Sequence, residues 1–198
     1  MAPGEDYREF VRHPRYGRRP RITGLNPEAD NGGRVLLHWH SPRESRIPNT
    51  AIPADLSRQS PATVPVSHYY DVKRQCRDCG RPFIFFAEEQ KYWYEDLGFA
   101  LEADCIRCVD CRKKQQGLER RREQYEALFP ITDRTTEQDL DMVDCSLSLI
   151  EAAVFHKRQL ERLRTILKRL ALSPDENTRT RSNEFWARLR ALETGDDC

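Results

Sequence analysis

The sequence predicts a mostly α-helical protein that contains a small α+β module held by cysteines, followed by C-terminal helices. The module is predicted by a C-x-x-C pair at Cys76 and by CIRCVDC at 105–111, which contains further pairs at the same spacing. The helices are predicted by the stretch 136–172, which has no glycine or proline and repeats apolar residues at helical intervals.

The composition is that of a polar protein with a modest core. The chain has 198 residues, of which 38% are hydrophobic and 33% charged, and its mean hydropathy is −0.81. No stretch approaches the roughly 18 consecutive apolar residues of a membrane span, and the N-terminus lacks an apolar segment of signal-peptide type. We therefore expect a cytoplasmic protein.

Residues 1–65 are predicted to form an Arg- and Pro-rich, largely extended N-terminal arm. The first 33 residues have few large apolar side chains, which favours a flexible segment. RVLLHWH at 34–40 predicts a short strand, and the five prolines of 41–65 exclude a continuous helix. We expect this last part to pack on the rest of the chain through Ile47, Ile52 and Leu56.

The first cysteine pair opens a module predicted to span residues 66–128. CRDCG at 76–80 fits a tight turn that points two sulfurs inward, and Gly80 suits the positive φ that such a turn demands. The segments that follow are a predicted strand, RPFIFF, and a predicted short helix, AEEQKYWYEDLGF, which ends at Gly98. Three side chains of this helix are spaced as core residues: Trp93, Tyr94 and Leu97.

CIRCVDC offers two ways to complete a site of four thiolates, with Cys105 and Cys108 or with Cys108 and Cys111. Five paired cysteines within 36 residues of a cytosolic chain favour a metal over disulfides. Residues 112–129 predict a polar helix, and a helix N-terminus stabilises thiolates through its unpaired N–H groups. The second choice is therefore favoured, in a treble-clef-like arrangement of knuckle, hairpin and helix. The predicted ligands of one structural Zn²⁺ are Cys76, Cys79, Cys108 and Cys111.

The stretch from CRDCG to CVDCRKK resembles the zinc-binding domain of treble-clef, zinc-ribbon type found in bacterial proteins of uncharacterised function. The shared pattern is C-x-x-C-G, an aromatic strand, an E-Q-x-[YW]-[WY]-Y-E box ending in Gly-Phe, and C-x-x-C-R. The resemblance covers roughly residues 47–115 and places Arg112 at the family's Arg position, which supports Cys108 and Cys111. It implies zinc binding and no defined activity. Cys105 departs from the family pattern and is interpreted as a semi-buried bystander or, alternatively, a redox-sensing thiol.

Residues 129–198 are predicted to be helical. Thr135 followed by Gln138 predicts a capping box. The apolar phase breaks between Val154 and Leu160, which favours two helices over one long helix. Ser182 is the predicted cap of a last helix that ends at Gly195. The two apolar seams are Leu140, Val143, Leu147, Ile150 and Val154, then Leu160, Leu163, Leu167 and Leu170.

The charge lies in blocks, although the net charge is only +1. Residues 107–123 contain seven Lys or Arg against three acids, and residues 156–170 contain six against one. The first block is the candidate nucleic-acid surface, with the Arg-rich N-terminus contributing. Its proposed contacts are Arg112, Lys113, Lys114, Arg120, Arg121 and Arg122. We therefore expect a non-enzymatic interaction module that binds RNA or DNA.

Two other functions stay open. The apolar seams between 140 and 170 support a protein–protein adaptor nearly as well as nucleic-acid binding. The combination of His38 and His40 with a scaffold of paired cysteines is compatible with an HNH-type nuclease. The sequence contains no His/Asn/His set in the required strand–helix order, however. An enzyme is therefore the less favoured class.

Overall fold

The structure is a computed structural model that describes residues 6–28, 35–62 and 64–194. It divides into two compact units, Met1–Arg112 and Lys113–Cys198. The three-part division predicted above stays a prediction. The strands are β1 (Ile52–Pro53), β2 (His68–Tyr69), β3 (Val72–Gln75) and β4 (Pro82–Phe85). The helices are α1 (Ala87–Lys91), α2 (Val109–Leu128), α3 (Thr136–Glu151), α4 (Leu160–Leu170) and α5 (Glu176–Thr194), with a π-helical turn at Tyr92–Asp96 and 3-10 turns at Arg43–Ser45 and Lys157–Gln159.

The antiparallel hairpin of β3 and β4 is the centre of the first unit, and the strand predicted at RPFIFF, residues 81–86, is confirmed over Pro82–Phe85. Its second strand is apolar throughout because both of its faces are buried. Phe83 and Phe85 pack toward the cysteines, whereas Ile84 and Phe86 pack against Ile47 and aromatic residues of the N-terminal segment. The alternation along one strand therefore links the cysteine cluster to the N-terminal segment.

The described part of the N-terminal segment lies on this module instead of extending from it. The Val11 N–H donates to the Pro82 carbonyl at 2.8 Å, and the Ile47 N–H donates to the Asp71 carbonyl at 2.9 Å. Leu56 is 52% exposed, so the packing expected of it is wrong, whereas Ile47 is buried as expected.

The predicted strand at 34–40 is wrong for the residues described, 35–40, which form no strand. The Ser67 N–H donates to the Leu36 carbonyl at 2.7 Å, as a ladder would require. The Leu36 N–H, however, donates to the Ser67 hydroxyl oxygen at 2.9 Å, so a side chain replaces the backbone acceptor and pairing stops.

The short helix between the cysteine pairs is confirmed, but it changes its winding partway. The π-helical turn moves the side chains out of α-helical phase. Tyr94 is buried, Trp93 is half-buried and Leu97 is exposed, so the predicted three-residue core face is only partly correct. Gly98 has φ +66°, which confirms its predicted role in ending the helix.

The second unit is a bundle in which α3, α4 and α5 pack against one another, with Tyr125 of α2 in the same core. The capping box at Thr135 and Gln138 is confirmed. Two helices, α3 and α4, stand in place of one long helix, as favoured above. Val154, the last residue of the first predicted seam, is exposed and does not belong to the core.

The last helix begins at Glu176, so the predicted cap at Ser182 is wrong. Asp175 caps the helix instead, and its carboxylate accepts from the Thr178 N–H at 2.8 Å. Ser182 is buried inside the helix, where its hydroxyl donates to the Leu167 carbonyl. The predicted end at Gly195 lies outside the described residues. No helix in the described part of the chain is both long and apolar enough to span a membrane.

Candidate metal centre

Four cysteines converge at one end of the β3–β4 hairpin. The sulfurs of Cys76, Cys79, Cys108 and Cys111 all lie within 4.8 Å of one another. Cys76 and Cys108 are buried, Cys111 is half-buried and Cys79 is exposed. Within the described ranges, this is the one group of three or more potential metal-ligating side chains that lie so close together.

The first pair sits in the turn of the hairpin. β3 ends at Gln75, and the Cys76 N–H then donates to the Arg81 carbonyl at 3.0 Å to close the turn. The Gly80 N–H donates to the Cys76 carbonyl at 2.9 Å. Gly80 has φ +69°, a backbone conformation in which a β-carbon would be strained. The glycine predicted for this turn is therefore required by it.

The second pair sits at the start of α2. The helix begins at Val109, three residues earlier than the predicted start at Arg112. Cys108 immediately precedes the helix and Cys111 lies in its first turn, and the Arg112 N–H donates to the Cys108 carbonyl at 3.0 Å. The two thiols therefore lie at the positive end of the helix dipole, as predicted.

Two reciprocal ion pairs tie the cysteine turns together. The Arg107 Nε lies 2.8 Å from an Asp78 carboxylate oxygen, and the Arg81 guanidinium lies 2.9 Å from Asp110. Each turn thus supplies one arginine and one aspartate to the other. This pairing was not predicted, although the sequence carries a signal for it: each C-x-x-C contains an acid and has an arginine nearby, in CRDCGR and RCVDC.

The thiols of the two pairs differ in acidity. Burial opposes ionisation of Cys76, but backbone N–H groups of Cys108, Cys79 and Asp78 donate to its sulfur and lower its pKa to about 6. The backbone N–H and guanidinium of Arg81 lower the pKa of Cys79. Burial raises the pKa of Cys108 and that of Cys111, and the neighbouring sulfurs raise the latter further.

This donor set fits a soft divalent cation. Four thiolates so close together repel one another, and a cation reverses that cost because it stabilises each deprotonated sulfur. Four sulfur donors at a hairpin turn and a helix N-terminus are the ligands that zinc takes in closed tetrahedral sites. The cluster can therefore hold a metal ion, and its chemistry suits zinc.

Cys105 is separate from this cluster. Its side chain is 1% exposed and packs against the apolar cluster that contains Phe83 and Phe85. Its thiol donates to the Arg107 carbonyl at 3.4 Å. Burial raises the pKa of Cys105 to about 12. A buried thiol of this kind is unreactive, so the bystander interpretation is favoured over redox sensing. Cys145 is likewise buried, in the core of the second unit, and Cys198 lies outside the described residues.

The six basic residues predicted to bind nucleic acid fall into two groups. Arg112 is not available at the surface: its guanidinium lies 2.6 Å from buried Glu89 and 4.9 Å from the centroid of the Trp93 ring. Arg121 pairs with Asp144 and Arg122 with Glu126. The remaining three are exposed, and no carboxylate in the described ranges lies within 4.0 Å of them: Lys113, Lys114 and Arg120.

His38 and His40 fix the N-terminal segment to the loop before Cys105. The His38 ring contacts the Leu101 carbonyl, and the His40 Nε2 lies 2.9 Å from the Glu102 carbonyl oxygen. Burial lowers the pKa of His38, although its hydrogen bond to Leu101 opposes this. Both rings therefore make structural contacts, and neither belongs to the cysteine cluster.

A cysteine turn on a hairpin, followed by a helix whose N-terminus supplies the second pair, defines the treble-clef class of metal-binding modules. Residues 70–120 match the family described as "Probable treble clef domain". The chain therefore carries a treble-clef zinc-binding domain in this region, as the sequence resemblance implied. No curated protein and no solved structure gives a significant match to the chain.

Proposed function

We propose that this chain is a non-enzymatic binding module whose first unit is stabilised by one structural Zn²⁺. The supporting observation is the set of four convergent cysteine sulfurs. Four thiolates fill a tetrahedral coordination shell and leave no position for a water or substrate, so Lewis-acid catalysis is disfavoured. A small unit with divided apolar clusters draws much of its folding free energy from such a metal.

Removal and return of the metal test the structural role. We expect a strong chelator to abolish the near-UV circular dichroism of the first unit, to which Trp93 contributes, and stoichiometric zinc to restore it. Magnesium serves as the control cation, because thiolates bind it poorly. Retention of the native spectrum after complete zinc removal would contradict a structural role.

The proposed partner is nucleic acid, bound through the exposed face of α2. Lys113 and Arg120 lie seven residues apart on this helix, so they share one face, and Lys114 lies beside the first of them. These three cations are not neutralised by nearby carboxylates of the described chain, which makes them the available phosphate contacts. This narrows the predicted surface from six residues to three.

Matched charge removals on α2 test this surface. Arg120 and Arg122 are both exposed, but their two-residue spacing places them on nearly opposite sides of the helix. We expect Arg120→Gln to weaken binding of a labelled oligonucleotide and to lower its salt dependence, and Arg122→Gln to have little effect. Equal effects of the two substitutions would contradict a specific α2 surface.

The protein–protein adaptor alternative depended on apolar seams that a partner could cover. All seam residues except Val154 are buried in the core of the second unit, so the seam is satisfied by the chain itself. These buried seams therefore do not favour a protein partner at 140–170. Nucleic acid is the better supported partner because its candidate contacts are exposed.

A further inference from the structure

A cavity of about 370 Å³ in the second unit is lined mainly by arginines. All of its lining residues except Arg134 belong to the basic stretch 156–170, to which the proposed function assigns no role. Arg162, Thr165 and Arg169 lie on one face of α4, and Arg134 comes from the loop before α3. Buried Ile166 completes the lining.

The arginines of this cavity carry more charge than their surroundings neutralise. Arg134 and Arg169 share one buried carboxylate, that of Asp139, and the Arg134 Nε lies 2.9 Å from it. No carboxylate within the described ranges lies within 4.0 Å of the Arg162 guanidinium. Three guanidinium groups against one carboxylate leave two positive charges at one cavity, an arrangement that an anion stabilises.

An exposed aromatic ring adjoins the cavity. The guanidinium carbon of Arg162 lies 4.2 Å from the centroid of the Phe129 ring. Phe129 follows the last residue of α2, and 47% of it is exposed. Aromatic rings and guanidinium planes at the surface are platforms on which unpaired bases stack. A phosphate-sized anion site beside such a platform matches the alternating chemistry of a single nucleic-acid strand.

We propose that this arginine pocket binds a backbone phosphate of single-stranded nucleic acid, with the Phe129–Arg162 pair contacting an adjacent base. The proposal rests on the proposed function, to which it adds a second site and a preference for single strands. Arg162 has the guanidinium that is best placed to take the phosphate because it has no carboxylate partner, and Thr165 adds a hydroxyl at the same face. The exposed ring favours nucleic acid over a phosphorylated peptide, whose recognition needs arginines alone.

Fluorescence polarisation of the full zinc-loaded chain with a labelled single-stranded oligonucleotide tests the pocket. We expect Arg162→Gln to weaken binding by roughly 3- to 10-fold and to reduce the salt slope by about 0.7. Phe129→Ala is expected to weaken binding while leaving the salt slope unchanged. Lys168→Gln is the matched control, because it removes the same charge from an exposed position of α4 outside the cavity.

The outcomes separate this proposal from the proposed function. Arg162→Gln and Lys168→Gln with equal affinities, in a chain whose binding falls on Arg120→Gln, would overturn the pocket and leave the α2 surface standing. Weaker binding by Arg162→Gln with no effect of Arg120→Gln would support the pocket and overturn the α2 surface. A wild-type chain that binds no oligonucleotide, and whose melting temperature inorganic phosphate raises through Arg162, would make the occupant free phosphate and overturn both nucleic-acid proposals.

Discussion

The Arg112 guanidinium donates to the Glu89 carboxylate at 2.6 Å, and both side chains are largely buried. The same guanidinium lies over the Trp93 ring, and the His13 Nε2 lies 3.4 Å from the same carboxylate. Arg112, which the sequence predicted to be a surface contact, thus joins α2 to α1 beside the metal centre. Its role is structural because its partners are within the first unit.

The first prediction concerns this ion pair. Arg112→Ala should lower the free energy of unfolding of the first unit by about 3 kcal/mol, because it leaves the Glu89 carboxylate buried with only a weak partner. Arg122→Ala, which breaks an exposed pair with Glu126, should cost about 0.5 kcal/mol or less. Denaturant titration at constant free zinc measures both losses by tryptophan fluorescence, to which Trp93 contributes in the first unit and Trp186 in the second. Equal losses for the two variants would contradict the structural role of Arg112.

A second prediction follows from Asp71, which is fully buried and whose carboxylate accepts from the N–H groups of Ala87 and Arg21. Burial raises its pKa to about 7, against the opposing effect of these two donors. The folded pKa exceeds that of the unfolded chain, so the contribution of Asp71 to stability falls as the pH rises toward 7.

Comparison with Asp71→Asn isolates this titration from the pH dependence of zinc binding. Between about pH 5.5 and pH 7, the wild-type chain should lose stability relative to the variant, which cannot ionise, and above that range the difference should level off. Thermal unfolding at saturating zinc measures it. A difference that stays constant across this pH range would show that the carboxylate is already ionised when buried.

A third prediction concerns the end of α3. Ala153 has φ +56°, and the Val154 N–H donates to the Leu149 carbonyl at 2.8 Å, so the helix ends with a left-handed residue that is not glycine. Ala153→Gly should stabilise the second unit by about 0.5 to 1 kcal/mol, because glycine has no steric cost in this conformation. Ala152→Gly is the control, because its φ of −86° gives glycine no such advantage. Stabilisation by both would contradict the conformational explanation.

A fourth prediction concerns the odd thiol. In the folded, zinc-loaded chain at neutral pH, Cys105 should resist alkylation, because its side chain is 1% exposed and burial holds its pKa near 12. Mass spectrometry after brief iodoacetamide treatment measures its modification, with the same treatment in denaturant as the control. Rapid modification in the native state would revive the redox-sensing interpretation.

The features that could be read from the sequence are local ones. Cys108 and Cys111 were identified because a helix start lies beside them in the chain, and Thr135 with Gln138 because a capping box spans four residues. The break between α3 and α4 was visible as a phase change in one apolar pattern. Each of these depends on neighbours along the chain.

The features that could not be read depend on distant partners. Glu89 and Arg112 are 23 residues apart, and the C-x-x-C-R pattern that marks Arg112 does not show that a buried carboxylate is its partner. The arginine cavity joins Arg134 to α4 only after α3 and α4 have packed. Tertiary packing likewise decides whether an apolar seam is buried within its own unit or exposed to a partner.

The proposed ligands of the single zinc ion are Cys76, Cys79, Cys108 and Cys111, and Cys105 is not among them. Metal analysis of purified Cys105→Ser and Cys111→Ser distinguishes these ligands from the Cys105–Cys108 alternative. We predict that Cys105→Ser retains one zinc per chain, as the wild type does, and that Cys111→Ser loses zinc or binds it much more weakly. Loss of zinc from Cys105→Ser with full retention by Cys111→Ser would contradict the assignment.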